Sequence, residues 1–202
     1  MTDLEKVQDN AFTLKFVKNK TPELCLAAVK QNGYIINDIK PKYRTPEICI
    51  AAVKQNGYAI KFIKEQTPEI CIAAVKQNGN AIKYVIEQTL EIYLAAVKQN
   101  GYAIKFIKEQ TPELCLAAVK QEGYALEYIK NQTTKVCLAA VKQDGFTLNF
   151  VRNQTPRICL AAFKQKSRAL DYVQERFKFL FNKEFEGFSL DEIKHKVPEM
   201  FL

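Results

Sequence analysis

The chain contains no tryptophan, only two serines, Ser167 and Ser189, and a single histidine, His195. A nucleophile–histidine enzyme or a histidine-ligated metal site therefore has almost nothing to be built from. Long hydrophobic runs are also missing. The longest, such as residues 48–53, are six residues, too short to cross a bilayer. The start, Met1-Thr2-Asp3-Leu4-Glu5-Lys6, lacks the basic-then-apolar pattern of a secretory signal, so a cytoplasmic location is expected. Against these absences stand 202 residues, 48% of them hydrophobic, with 30 Lys and Arg facing 22 Asp and Glu for a net charge of +8. That is enough for one domain with a real core, and too apolar and too evenly charged for disorder.

Internal repeats dominate the chain. Thr45-Pro-Glu-Ile-Cys-Ile-Ala-Ala-Val-Lys-Gln-Asn-Gly-Tyr-Ala-Ile-Lys-Phe-Ile-Lys-Glu-Gln66 recurs with drift at 67–88, 89–110, 111–132, 133–154 and 155–176. A 24-residue version occupies 21–44, lengthened near Pro41-Lys42-Tyr43-Arg44. Repeats 45–66 and 89–110 agree at 19 of 22 positions, a sign of recent duplication. The chain thus divides into an N-terminal partial repeat or cap (1–20), seven helical-hairpin repeats (21–176) and a C-terminal capping region or tail (177–202).

Each repeat reads as two short helices. Thr45 suits an N-cap, Pro46 the first helical position, and Glu47 the positive helix end. Gly57 is expected to supply a left-handed residue that ends the first helix, with a second helix over 58–65. Ile48, Cys49, Ala52 and Val53 share one face of the first helix, and Ala59, Ile60, Phe62 and Ile63 share one face of the second. Apolar spacing of three and four excludes alternating β-strands. Helices this short are marginal alone, so neighbours must stabilise them. The expected fold is all-α, an α-solenoid of stacked two-helix repeats with atypical end caps.

The unit TPE-[IL]-C-[IL]-AAVKQ-x-G-[YF]-A-[IL] resembles the helical repeats called domain of unknown function 4116, over about residues 7 to 176. The resemblance implies a helical repeat protein and, in intracellular bacteria of amoebae or in giant viruses, a host-facing, effector-type role with delivery into a host cytosol. It implies no catalytic residue and no cofactor.

Four features are candidates for function. Cys25, Cys49, Cys71, Cys115, Cys137 and Cys159 occupy the fifth position of their repeats, and Tyr93 takes that place in the remaining one. No pair has zinc-ligand spacing, and equivalent positions of stacked helices lie too far apart for a disulfide. They read as core in a reducing compartment. Lys30, Lys54, Lys76, Lys98, Lys120, Lys142 and Lys164 form a ladder beside Glu47, Glu69, Glu91 and Glu113, and Lys61, Lys83 and Lys105 a partial second one. The ladder is either a cationic groove, with Tyr58, Tyr102, Tyr124 and Phe146 as stacking platforms, or a solubilising surface whose aromatics pack on the next repeat. Repeats 67–88 and 111–132 carry charges of 0 and −1, which weakens the groove reading.

Repeats 133–154 and 155–176 carry +2 and +3, more than half of the net charge. There the first-turn glutamate becomes Lys135 and Arg157, with Arg152, Lys164, Lys166 and Arg168 nearby in sequence. Cations at helix starts oppose the helix dipole, a cost that an anionic surface would offset; the alternative is neutral drift in duplicated repeats. The tail holds six of thirteen phenylalanines: Phe177, Phe179, Phe181, Phe185, Phe188 and Phe201. A helix over 171–181 and another starting at Ser189 would cap the solenoid. The rival is a partner-binding or secretion segment at Pro198-Glu199-Met200-Phe201-Leu202.

The function expected from these features is a non-enzymatic scaffold for protein–protein interaction, with another protein as partner, no cofactor and a monomeric state. The alternative is binding of nucleic acid or another polyanion through the basic C-terminal repeats.

Overall fold

The repeats begin where a threonine can cap. In the computed structural model, which describes residues 1–182, 187 and 189–196, Thr45 has extended backbone and its hydroxyl oxygen accepts from the Ile48 N–H at 3.4 Å. Pro46 fills the first helical position, where its missing N–H costs nothing. Thr21, Thr67, Thr111 and Thr155 do the same, and Thr89 and Thr133 cap without a following proline. A seven-residue helix, α1 (Asp3–Asp9), comes first and is held by a capping box between Thr2 and Glu5. Seven ten-residue helices follow: α2 (Pro22–Gln31), α3 (Pro46–Gln55), α4 (Pro68–Gln77), α5 (Leu90–Gln99), α6 (Pro112–Gln121), α7 (Thr134–Gln143) and α8 (Pro156–Gln165).

The termination of these helices differs from the sequence expectation. Gly57 is not left-handed; among the described residues the only positive φ belongs to Gly187. The α3 helix ends instead at Asn56, whose backbone is extended (φ −148°, ψ 110°) and whose Oδ1 accepts from the Tyr58 N–H at 3.0 Å. Gly57 is needed for space. A Cβ on it would stand 2.5 Å from the carbonyl oxygen of Ala74 in the next repeat.

The second helix is also tighter than expected. In place of an α-helix over 58–65 the chain forms a six-residue 3₁₀ helix ending at Phe62, after which Ile63 is extended. These elements are η1 (Ala11–Phe16), η2 (Gly33–Asp38), a short η3 (Pro41–Tyr43) in the lengthened repeat, η4 (Gly57–Phe62), η5 (Gly79–Tyr84), η6 (Gly101–Phe106), η7 (Gly123–Tyr128), η8 (Gly145–Phe150) and η9 (Ser167–Tyr172). In η4 the end is closed by Gln66. Its Nε2 donates to the carbonyls of Ile60 (3.3 Å) and Ile63 (3.1 Å), supplying from a side chain what continued helix would supply from backbone.

Two compact units, Met1–Lys108 and Glu109–Leu202, make up the chain. Within each, α-helices pack on the α-helices of adjoining repeats and 3₁₀ helices on 3₁₀ helices. The result is an all-α solenoid arrangement of two layers, with no strand among the described residues. Its core is the shared face: Ile48, Cys49, Ala52 and Val53 of α3 meet Ala59, Ile60 and Ile63, all buried. Each fully buried Ile contributes about 1.5–3 kcal/mol, which is what holds helices too short to stand alone.

The C-terminal region departs from expectation at one point. No single helix runs over 171–181: Val173 is extended (φ −72°, ψ 128°), and η10 (Glu175–Phe181) begins afresh. Phe177 and Leu180 are buried, and Phe181 lies 4.7 Å from Phe163 of α8, centroid to centroid. Ser189 starts α9 (Leu190–Lys196) through a reciprocal pair of bonds with Glu192. Phe185, Phe188, Phe201 and the segment 198–202 lie outside the described residues. No described helix is long and apolar enough to cross a membrane.

Candidate binding surface

The outer face of the α-layer is assembled from four positions of each repeat. In α3 these are Glu47, Ile50, Ala51 and Lys54, spaced i, i+3, i+4, i+7 and so lying on one side of the helix, opposite the buried stripe. Glu47 and Lys54 are exposed, whereas Ile50 and Ala51 are half-buried. Between α2 and α3 the same positions, with Leu26, Lys30 and Gln55, line a shallow groove of about 410 Å³.

The lysine ladder is a real surface feature. Lys30, Lys54, Lys76 and Lys98 in the N-terminal unit, and Lys120, Lys142 and Lys164 in the C-terminal unit, are all exposed. The six candidate cations of the basic repeats do not form one cluster. Lys135 and Arg157 stand exposed in the first turns of α7 and α8, and Lys164 in the last turn of α8. Two of the others already have partners. The Arg152 guanidinium donates to the Lys130 carbonyl at 2.8 Å. The Lys166 ammonium pairs with Asp144 Oδ2 at 2.9 Å and lies 4.5 Å from the Phe146 ring. Burial alone would raise the Asp144 carboxyl; Lys166 and the Phe146 N–H outweigh it and hold the group below its ordinary value. Arg168 belongs to η9, in the other layer, and is exposed.

The aromatic residues of the 3₁₀ layer pack on one another. Tyr34 meets Phe62, Tyr58 meets Tyr84, Tyr124 meets Phe150 and Phe146 meets Tyr172, each edge to face at 5.8–6.0 Å. Two lysines of the partial second ladder cover these rings. Lys61 lies 4.7 Å from Phe62 and 5.2 Å from Tyr34, and Lys83 lies 4.8 Å from Tyr84 and 5.3 Å from Tyr58. Their faces are therefore committed to repeat packing.

Sequence reasoning missed the glutamines. Gln154 closes its repeat, is 6% exposed, and spans to the next: Nε2 donates to the Tyr172 carbonyl at 2.8 Å and Oε1 accepts from the Gln174 N–H at 2.9 Å. Gln66, Gln110 and Gln132 repeat this staple, to carbonyl and N–H groups 18 and 20 residues further on. In the 24-residue repeat Arg44 takes the place, its longer guanidinium reaching the carbonyls of Ile39, Phe62 and Asn37. A second row follows each ladder lysine. Gln77 Oε1 accepts from the Gly57 N–H at 2.6 Å, and Gln55 Nε2 donates to the Gln31 carbonyl at 3.0 Å. The recurrence of Gln at both positions was the available signal.

The six cysteines are free and buried, and four of them, Cys71, Cys115, Cys137 and Cys159, lie against a staple glutamine, with Cys159 Sγ 3.5 Å from Gln154 Oε1. Burial pushes every one of these thiols up, that of Cys159 to about 11. They are core residues of the hairpins, not an exposed reactive set.

No curated protein and no solved structure shows significant similarity to the chain. A family profile described as a domain of unknown function (DUF4116) matches four overlapping stretches, residues 21–67, 45–90, 67–111 and 89–134. These cover more than half of the chain and follow the boundaries of the threonine-capped hairpins, and the chain belongs to that family of helical repeats.

Proposed function

We propose that the protein is a non-enzymatic scaffold that binds another protein through the outer face of its α-layer. The observation that carries this reading is a division of labour within each repeat. Interior positions hold their chemistry, and the polar groups inside are spent on backbone bonds: threonine caps, asparagine caps and glutamine staples. The exposed first-turn position meanwhile changes from Glu47, Glu69, Glu91 and Glu113 to Lys135 and Arg157 with no change in the hairpin beneath. A fixed frame with variable outer residues is how repeat proteins present binding surfaces. Six reduced thiols fit a reducing cytosol, that of the producing cell or of a host into which an effector-type protein is delivered.

The test is a pull-down from a cytosolic lysate, with and without nuclease, at low and moderate salt. A nuclease-resistant, salt-tolerant protein partner supports the scaffold. Turnover of a substrate by purified protein, abolished by changing specific polar residues, would refute it. A second reading, polyanion binding, is favoured by one observation: Lys135 and Arg157 share a face with Lys142 and Lys164. Retention that vanishes with nuclease or modest salt would put that reading first.

A further inference from the structure

We propose that the exposed face of α7 and α8 is a docking site for an acidic amphipathic segment of a partner protein; this names the partner chemistry of the scaffold reading and rests on it. On α7, Lys135, Leu138, Ala139 and Lys142 are spaced i, i+3, i+4, i+7 and lie within about 100° of one another. On α8, Arg157, Leu160, Ala161 and Lys164 repeat the pattern. All four cations are exposed, the leucines and alanines are half-buried, and the two helices pack side by side. First-turn and last-turn cations stand about 10 Å apart along each helix. Two cationic rows therefore flank a leucine–alanine strip.

The contrast with the N-terminal unit gives the argument its force. On α2 to α5 the same strip has Glu23, Glu47, Glu69 and Glu91 on one side and Lys30, Lys54, Lys76 and Lys98 on the other. Rows of opposite sign suit no ligand of a single sign. On α7 and α8 both rows are positive, and none of the four cations forms an ion pair with any described residue. Lys135 and Arg157 also oppose their helix dipoles, an unfavourable placement that a bound carboxylate reverses.

A complementary ligand carries carboxylates along both edges and apolar side chains between them, which a helix achieves with leucines every three or four residues. Nucleic acid fits less well. A phosphate backbone gains nothing from leucine, and the aromatics that would stack on bases are paired in the other layer: Tyr124 with Phe150 and Phe146 with Tyr172. An anionic membrane also fits less well, because Leu138 and Leu160 are half-buried and do not project as an inserting wedge would.

Fluorescence anisotropy of the full chain with four probes decides the matter. These are a labelled helical peptide of about 15 residues, roughly 22 Å long, with leucines between two edges of glutamate; a scrambled peptide of the same composition; single-stranded DNA; and phosphatidylserine–phosphatidylcholine vesicles. The patterned peptide is expected to bind at least about tenfold more tightly than the scrambled one. Lys135→Glu with Arg157→Glu is expected to cost about tenfold in affinity. These changes install the glutamate that repeats 45–66 and 67–88 already carry, so the fold is kept. Leu138→Gln with Leu160→Gln, checked for helicity, is expected to weaken the patterned peptide comparably, and Glu113→Lys to strengthen it.

Equal binding of patterned and scrambled peptides, tighter binding of DNA or vesicles, or indifference to the charge reversals overturns the proposal. A protein partner that the doubly reversed variant still retains overturns this site and leaves the scaffold reading standing.

Discussion

Removing one staple should loosen the last joint of the solenoid. Gln154→Leu keeps the size of the buried side chain and deletes its polar atoms. Two main-chain groups then lose their partner, the Tyr172 carbonyl, bonded at 2.8 Å, and the Gln174 N–H, bonded at 2.9 Å, and the weak contact from the Cys159 thiol at 3.5 Å goes as well. The Leu148 carbonyl, 3.4 Å from the same amide, keeps its backbone donor in Val151. An orphaned buried polar group costs about 1–3 kcal/mol, and leucine regains about 1–2 kcal/mol through burial. Two such groups cost about 2–6 kcal/mol, so the net loss centres on about 2.5 kcal/mol, or about 5–10 °C in melting temperature for a chain of this size. Because stability in a repeat array is local, the loss should concentrate on η9 and the segment after it. Thermal melting by circular dichroism gives the magnitude, and hydrogen exchange at Gln174 and the η9 amides gives the place. Gln165→Leu is the contrast. Gln165 is exposed, so leucine there regains little by burial, and one part-buried donor, the Gly145 N–H bonded at 2.6 Å, is orphaned; about 1–3 kcal/mol is lost, at the η8 joint instead. A Gln154→Leu variant that melts within about 1 °C of the parent, with unchanged exchange at Gln174, would refute the staple as an energetic element.

Other outcomes follow from the same geometry. Gly57→Ala should destabilise by about 1–3 kcal/mol although Gly57 has an ordinary φ, because its Cβ meets the Ala74 carbonyl at 2.5 Å; chemical denaturation reads this. Asn80 stands where neighbouring repeats carry an aromatic ring, and its buried Oδ1 has no partner. Asn80→Tyr should therefore stabilise by about 1–2 kcal/mol, and a lower melting temperature would show that the position does not accept the ring pair. The six thiols should resist a thiol reagent in the native state at pH 8 and react fully in urea. Their folded values lie above the ordinary 9.0, so their contribution to stability is complete below pH 9 and falls as pH rises toward the folded value, about 11 for Cys159. A melting temperature that rose between pH 9 and 11 would contradict the burial.

What the sequence discloses here is what local chemistry decides. Threonine, proline and glutamate at 45–47 announce a helix start, and apolar residues at 48, 49, 52 and 53 announce its buried face, because caps and stripes are settled within a few residues. The 3₁₀ form of the second helix is not legible: four apolar residues within 59–63 fit either helix type, and the bonds that close its end come from Gln66, outside the helix. Gly57 reads as indispensable for a reason that proves wrong, since the atom that forbids a side chain belongs to Ala74, in the next repeat. The glutamine staples are not legible for the same reason, since their partners lie in a neighbouring repeat. The candidate site suffers from the opposite error: Arg152 to Arg168 are close in sequence, but α8 lies between them and is about 15 Å long, and Arg152 and Lys166 are already engaged.

The staples have a consequence for how such a chain changes over generations. Gln66 and Gln132 reach across to carbonyl and N–H groups of the main chain, and Gln77 takes the N–H of Gly57 in the same way. Main-chain atoms are the same whatever the residue, so these bonds ask little of the side chains they join beyond the glycine at each joint. A copy that keeps this length, the glycine and the ring at the joint can follow any other, and unequal exchange between near-identical copies such as 45–66 and 89–110 would yield an array that still closes every joint. A change of length inside a copy is different, because it moves the staple residue away from the carbonyls of its own hairpin, from three residues in Gln66–Ile63 to five in Arg44–Ile39. The one lengthened copy, 21–44, meets this with the longer reach of Arg44. The array is thus free to vary in number and strict in spacing, and a partner of the proposed kind would find its docking repeats added or lost only as whole copies.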